Sequence, residues 1–235
     1  MIKNVLILVG GFGKRLGDLT KITPKPLLLI NKRLFLEYIL DKVLEINPKK
    51  IILLCCYKKE QFIKKFHNKI INKSKIICIT EKKPLGTAGS ILNAKKFISN
   101  STLIINGDSY FNFNYKILNF INKRKKIHII LTKNNNYKSN KKLSKLVLKN
   151  NLVAISLNEK HKKNLMNGGI YIVKRDIIPF LKKRVFSLEN ETIPNLINKN
   201  MASGTYVNKF FIDIGTKKNL NHFKKISKKI KFNNF

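Results

Sequence analysis

The amino-acid sequence predicts an α/β fold built on a mixed, mainly parallel sheet with helices on both faces. Three observations predict it. Strand-sized apolar runs alternate with helix-length segments, a glycine turn follows the first run directly, and the alternation weakens after Asn106-Gly107-Asp108. The first strand is Val5 to Val9, short, apolar and β-branched. Residues 34–44 then read as a helix and Ile51 to Cys55 as the second strand. Residues 59–71 carry Phe62, Ile63, Phe66 and Ile70 at helical spacing, 76–79 form a short strand, and 87–98 a further helix. Residues 102–105 give the next strand. Beyond it, 127–132 and 145–157 read as strands, the latter folded on the turn Lys149-Asn150-Asn151, which brings in antiparallel character. Residues 169–173 are extended, 175–181 and 190–199 helical, 202–207 and 211–214 extended, and 216–229 a closing helix. The whole is Rossmann-like: one domain over residues 1–230, a small partly antiparallel subregion inserted after Asp108, a loop at the asparagine-rich residues 134–140, and a frayed tail at 231–235.

Composition narrows the function classes. At 235 residues and 43% hydrophobic content the chain can bury a sizeable core but not build a large multidomain machine. No apolar run is long enough to cross a membrane, and Met1 leads almost at once into the first strand without a leader pattern, so a cytoplasmic protein with no membrane partner is expected. Cys55, Cys56 and Cys78 lack metal-binding spacing and read as reduced core residues. The formal net charge of +37 raises nucleic-acid binding, yet only five of the 49 basic residues are Arg, the residue that bidentate phosphate and base recognition favours. The lysines are scattered, and the accompanying excess of Asn and Ile points to A/T-rich codon drift, so no specific nucleic-acid partner is expected.

Chemistry concentrates where strands end. Leu8-Val9-Gly10-Gly11-Phe12-Gly13-Lys14-Arg15-Leu16 is a glycine loop whose bare backbone can approach phosphates. It is neither a Walker loop nor a GxGxxG fingerprint. In Thr23-Pro24-Lys25-Pro26 two prolines flank one lysine, which is then placed rather than solvated. Asp108 closes an apolar strand, where open α/β sheets bind ligands, and Asp213 stands between Ile212 and Ile214, so alternation sets it opposite its apolar neighbours. In a chain with only 12 acids, carboxylates so placed suit a Mg²⁺ ion shared with phosphate oxygens.

The glycine loop and the Pro-Lys-Pro element together resemble the sugar-phosphate nucleotidyltransferase (NDP-sugar pyrophosphorylase) family, and later segments agree in order. Glu81 to Ile91 is similar to the family's base-recognition segment and Asn106-Gly107-Asp108-Ser109 to its metal-aspartate turn. Glu159-Lys160 resembles its sugar-phosphate pair, Asn167-Gly168-Gly169-Ile170-Tyr171 its sugar strand, and Phe211 to Thr216 its second metal-aspartate segment. The resemblance spans residues 5 to about 220. It implies the nucleotide-diphospho-sugar transferase fold and Mg²⁺-dependent attack of a sugar 1-phosphate on the α-phosphorus of a nucleoside triphosphate, with release of pyrophosphate. By the same resemblance Arg15, Lys25, Asp108 and Asp213 are catalytic, and the two aspartates hold the metal. Leu8, Gly10, Gly11, Gly13, Lys14, Arg15, Glu81, Pro84, Gly86 and Thr87 line the nucleotide, while Glu159, Lys160, Asn167 and Gly168 bind the sugar phosphate.

Three departures stand out: Lys14 where Thr is usual, Val9 where Ala is usual, and Leu143-Ser144 where many members carry Tyr-Gly before the Glu-Lys pair. Glu81 favours GTP, because a carboxylate can accept from both donors on one edge of guanine. The combined motifs, including Phe186-Ser187-Leu188-Glu189, look most like the D-glycero-D-manno-heptose 1-phosphate guanylyltransferases, makers of surface-glycan precursors, with mannose 1-phosphate and other sugar 1-phosphates or bases as alternatives. No hexapeptide-repeat region follows, which argues against the bifunctional acetyltransferase members. A decayed scaffold that binds polyanions, and a nucleotidyltransferase for phosphocholine or another non-sugar phosphate, are the readings of other kinds. A homo-oligomer is left open. Of His67, His128, His161 and His222 none is assigned to catalysis, although His161 stands beside Lys160.

Overall fold

The computed structural model describes residues 1–121, 125–133, 146–155, 165–182 and 185–232. Glu159, Lys160, His161, Leu143-Ser144 and the asparagine-rich 134–140 segment lie outside the described residues.

The strands are β1 (Asn4–Leu8), β2 (Leu29–Ile30), β3 (Arg33–Leu34), β4 (Lys50–Cys55), β5 (Ile70–Ile71), β6 (Ser74–Thr80), β7 (Thr102–Asn106), β8 (Ser109–Phe111), β9 (Ile127–Lys133), β10 (Leu146–Lys149), β11 (Leu152–Ile155), β12 (Leu165–Val173), β13 (Ala202–Tyr206) and β14 (Phe211–Asp213). The helices are α1 (Leu19–Ile22), α2 (Phe35–Leu44), α3 (Lys59–Phe66), α4 (Gly86–Asn93), α5 (Ile193–Asn198) and α6 (Lys217–Ser227). Ten strands form one sheet in the order β10-β11-β13-β9-β12-β7-β1-β4-β6-β5. β1 pairs in parallel with β4 and β7, and β4 with β6, so these four strands form a parallel sheet. β12 runs antiparallel between β7 and β9. The sheet is thus mixed and mainly parallel.

Alternation along the strands explains why helices cover both faces. On β1, Val5 and Ile7 enter one core cluster with α2, α3 and α6, whereas Leu6 enters the other with α4 and α5. Ile51, Leu53 and Cys55 repeat the first choice on β4, and Ile52 and Leu54 the second. A strand buried on both sides cannot show polar alternation, which is why these runs are continuously apolar.

Several sequence expectations change. The helix expected over 59–71 stops at Phe66, because Asn68 takes φ 61° and Ile70–Ile71 pair with β6 instead. The helix expected over 87–98 ends at Asn93 and continues only as a 3₁₀ turn at Lys95–Phe97. Residues 190–199 divide into a π-helical turn at Leu188–Thr192 and α5. Cys55 and Cys78 are buried, but Cys56 is only half-buried, against the expectation of a core residue. The ribbon β8–β14 had no forecast as a pair, and it brings the segments carrying Asp108 and Asp213 together.

Candidate active site

β1 ends at Leu8 and the chain turns through Gly10 and Gly11 into a 3₁₀ turn at Lys14–Leu16. Gly13 requires its lack of side chain: its φ is 67°, and a Cβ would stand 2.9 Å from Thr20 Cγ2. Gly11 has open space around it, Lys14 and Arg15 are exposed, and Leu16 anchors the turn in the core. The Leu8 carbonyl accepts a hydrogen bond from Gly107 N–H at 3.0 Å, which ties the glycine loop to the turn before Asp108. Tyr57 braces the following segment by directing its hydroxyl at the carbonyls of Thr20 and Lys21, each 2.9 Å away.

Lys25 occupies a 3₁₀ turn entered through Pro24 and is only 7% exposed. Its Nζ lies 2.9 Å from Asp108 Oδ2. A lysine buried this far would be costly without a carboxylate partner. Asp213 sits across the β8–β14 ribbon, where it registers with Ser109, while Ile214 N–H donates to the Asp108 carbonyl at 3.0 Å. Ile212 and Ile214 are buried, leaving the Asp213 carboxylate on the opposite side of the strand. Arg15 Nη2 approaches Asp213 Oδ2 at 3.6 Å, and Gly215 N–H donates to Oδ1 at 2.6 Å. The Asp213 backbone is held by Asn219 Nδ2, 2.6 Å from its carbonyl. Asn219 lies in the first turn of α6, whose N-cap hydroxyl is Thr216.

Burial, and then the neighbouring Asp108 carboxylate, push the Asp213 carboxyl above its usual value, although Lys25, the Gly215 N–H and Arg15 pull the other way. A raised carboxyl at Asp213 beside the Asp108 carboxylate fits a hard divalent cation, whose remaining ligands would be phosphate oxygens and water. Among the described residues no group of three or more His, Cys, Asp or Glu side chains is placed to hold a metal. The aspartate pair therefore suits a cation that arrives with phosphate rather than a closed structural site.

The segment after β6, expected from sequence to meet the nucleotide, is internally tied. Glu81, read from sequence as a carboxylate offered to the base, is 6% exposed, and both its oxygens are engaged. Leu85 N–H donates to Oε2 at 3.0 Å and the Ser90 hydroxyl donates to Oε1. Glu81 thus closes the 81–90 loop on itself. Pro84 is exposed on that loop. Gly86 has φ 72°, and a Cβ there would fall 2.5 Å from the Phe186 carbonyl oxygen. The close approach allows Phe186 N–H to donate to the Leu85 carbonyl at 3.0 Å and Ala88 N–H to the Phe186 carbonyl at 2.9 Å. Thr87 donates its hydroxyl to Glu189 Oε2 at 2.7 Å and accepts from Leu188 N–H at 2.7 Å, so it too is engaged.

Asn167 and Gly168 lie on β12 at a bulge. Asn167 Oδ1 accepts from Gly169 N–H at 2.9 Å, and its Nδ2 donates to the Tyr171 hydroxyl. The structure therefore joins Arg15, Lys25, Asp108 and Asp213 into one charged cluster next to the glycine loop, and sets Thr87 and Asn167 in a second, hydrogen-bonded cluster. Asn106, Tyr171 and Glu189 complete that second cluster, and sequence reading assigned none of them a role. All three stood inside segments already singled out, and the scarcity of acids was the signal that could have marked Glu189.

Comparison with known proteins places this geometry in context. The sequence pattern of the nucleotidyl transferase family matches residues 4–229. The D-glycero-alpha-D-manno-heptose 1-phosphate guanylyltransferase of Campylobacter jejuni is 34% identical over 223 residues, covering 94% of this chain and 98% of the relative. The mannose-1-phosphate guanylyltransferase catalytic subunit beta of Drosophila melanogaster is 29% identical and covers 92% of this chain and 60% of its own length. Among solved structures, HddC from Yersinia pseudotuberculosis superposes with a TM-score of 0.76 at 26% identity, over 96% of this chain and 100% of that one, and it is also known complexed with GMP-PN. In the described residues no helix is long and apolar enough to cross a membrane.

Proposed function

From the premise that this chain belongs to the nucleotidyl transferase family, we propose that it joins a sugar 1-phosphate to the α-phosphorus of a nucleoside triphosphate, giving an NDP-sugar and pyrophosphate. GTP and D-glycero-D-manno-heptose 1-phosphate are the substrates, in the cytoplasm. The observation that carries the reading is the convergence of Arg15 and Lys25 on Asp213 and Asp108 beside the glycine loop, at the carboxyl ends of β1 and β7. Two polyanions must be brought together for this reaction, and positioning with charge neutralisation is nearly all the catalysis it needs.

In this reading the glycine loop receives the triphosphate, and Arg15, exposed at its edge, offsets the charge that builds on the departing pyrophosphate. Lys25 shifts part of its contact from Asp108 to phosphate and aligns the attacking oxygen. Asp108 and Asp213 would hold Mg²⁺, which would supply charge neutralisation and orientation of the phosphate oxygens. Guanine lies against the 81–86 loop, whose shape Glu81 fixes by closing it on Leu85 and Ser90. Glu159 and Lys160 contact the sugar phosphate, with Asn167 and Gly168 lining the sugar. The similarity to the Campylobacter enzyme over nearly the full length of both chains supports the choice of heptose and GTP. The similarity to the Drosophila subunit favours mannose 1-phosphate as the second reading.

The test is pyrophosphate release with Mg²⁺ and GTP, UTP, CTP or dTTP against a panel of sugar 1-phosphates. Turnover best with GTP and the heptose, abolished in Asp108→Asn, is expected. Preference for mannose 1-phosphate selects the second reading, and folded protein inactive with every pair refutes the activity.

A further inference from the structure

The second cluster contains two acceptors that the protein leaves short of donors. Asn106 Oδ1 is buried without a hydrogen-bond partner. Of the side-chain atoms in that state among the described residues, it alone stands within two positions of Asp108 or Asp213. Its amide cannot simply be turned over. Asn106 Nδ2 points to Glu189 Oε1 at 3.5 Å, and a flip would set the amide oxygen against the carboxylate. Glu189 is divided in character. Its Oε2 takes a short bond from Thr87 at 2.7 Å and a longer one from Ser187 at 3.4 Å. Among the described residues its Oε1 has only Asn106 Nδ2 and the Tyr171 hydroxyl, both at 3.5 Å, the outer limit of a hydrogen bond.

The surrounding groups each have closer partners. Asn167 spends its oxygen on Gly169 N–H and its amide on Tyr171, and Thr87 spends its hydroxyl as both donor and acceptor. The two acceptors sit among packed neighbours: Tyr171 is fully buried, Gly169 lies so close that a Cβ there would be 3.2 Å from Asn106 Cβ, and Glu189 lies within the π-helical turn Leu188–Thr192, strapped to the start of α4 through Phe186. Buried acceptors in native proteins nearly always find donors, and those that do not call for a ligand or water.

We propose that Asn106 Oδ1 and Glu189 Oε1 form an acceptor pair that takes hydroxyl donors from the sugar ring and so determines which sugar 1-phosphate is used. The inference rests on the sugar nucleotidyltransferase reading and adds the specificity residues to it. A site built from acceptors rejects a sugar that lacks the matching hydroxyl far more strongly than an apolar pocket could. Glu189 couples this choice to the nucleotide side, since the same carboxylate braces Thr87 at the start of α4.

The experiment compares wild type, Asn106→Ala and Glu189→Gln on the accepted sugar 1-phosphate and on its singly deoxygenated analogues. GTP affinity is measured separately without sugar, by displacement of a fluorescent GTP analogue. With the complete sugar each variant is expected to lose about tenfold to a hundredfold in kcat/KM, mainly through KM for the sugar. With the analogue lacking the hydroxyl that is read, wild type is expected to fall by a similar factor and the variants by no more than about twofold further. GTP affinity should stay within about twofold. Equal losses on every analogue, or a loss that appears in GTP affinity, overturn the acceptor pair while leaving the activity standing. A wild type without turnover on any substrate pair overturns both. Glu189→Gln keeps the side-chain volume and decides the question if Asn106→Ala does not fold.

Discussion

The Asp108–Asp213 cluster and the Glu189 cluster meet at the end of β7, whose last residue is Asn106 and which Asp108 follows two positions on, yet they are held by different means. Around Asp108 and Asp213 two cations are in contact, Lys25 at 2.9 Å and Arg15 at 3.6 Å, with the neutral Gly215 N–H at 2.6 Å and the Ser109 hydroxyl at 3.2 Å beside them. Around Glu189 the partners are two hydroxyls, an amide and a phenol, with no cation among the contacts described. Charge at close range acts on any phosphate, whereas a fixed set of acceptors distinguishes one ring of hydroxyls from another. Under the proposed function, the difference assigns the charged end to any nucleotidyl transfer and the hydroxyl-lined end to the choice of sugar.

The largest effect that would sharpen this contrast comes from the aspartates. Asp213→Asn is expected to lower kcat by on the order of a thousandfold with every sugar tested, since it removes transition-state charge stabilisation common to all. The same variant should melt at a higher temperature than wild type in metal-free buffer near neutral pH. The folded-state carboxyl is raised, so its ionisation opposes folding as pH climbs past it, and the amide removes that cost. A variant that lost activity for one sugar alone would blur the division between the two ends.

Gly86→Ala tests whether the strap between the two ends matters. The residue's φ of 72°, together with the Phe186 carbonyl oxygen 2.5 Å from where the alanine methyl would stand, combines backbone strain with a backbone clash, and roughly 3 kcal/mol of stability should be lost in urea unfolding. His128 gives a comparable effect through pH. It is buried on β9 between Ser203 and Thr205, 2.8 and 3.0 Å away, and burial pushes its imidazole down to about 4. Because the unfolded chain takes up the proton first, stability is complete above about pH 6.5 and falls as pH drops towards 4, by roughly 3 kcal/mol in all. His128→Gln should flatten that slope in denaturant titrations at a series of pH values, without altering sugar preference.

Arg15→Ala is expected to lower turnover by about a hundredfold while KM for the sugar changes little, as measured by initial rates of pyrophosphate release. Lys14→Thr, which restores the residue more usual in the glycine loop, should raise KM for GTP by only about twofold to fivefold, since Lys14 is exposed and its charge is screened. An Arg15 effect confined to sugar KM would break the comparison at its simplest point.

The same contrast explains what the sequence made legible. Arg15, Lys25, Asp108 and Asp213 were visible because each sits in a constrained setting: a glycine loop, a pair of prolines, a strand end, two flanking isoleucines. The central strands were legible because burial on both faces makes a run continuously apolar, as in Ile51 to Cys55. Asn106 and Glu189 were not, because their chemistry depends on a contact across 83 positions that no local pattern encodes. Glu81 was only partly legible for the same reason: no local pattern shows that Leu85 N–H and the Ser90 hydroxyl each donate to one of its oxygens. The helix over 59–71 ran too long because helical spacing at Phe62, Phe66 and Ile70 is also satisfied by a helix that breaks at Asn68 and returns as an edge strand.

The most direct test of the central claim follows oxygen atoms. The heptose 1-phosphate, labelled with ¹⁸O in its non-bridging phosphate oxygens, is turned over with unlabelled GTP and Mg²⁺, and the products are weighed by mass spectrometry. Attack of the sugar phosphate on the α-phosphorus requires every label to remain in the NDP-sugar and none to enter pyrophosphate. Label in pyrophosphate, or consumption of GTP without a labelled NDP-sugar, would contradict it.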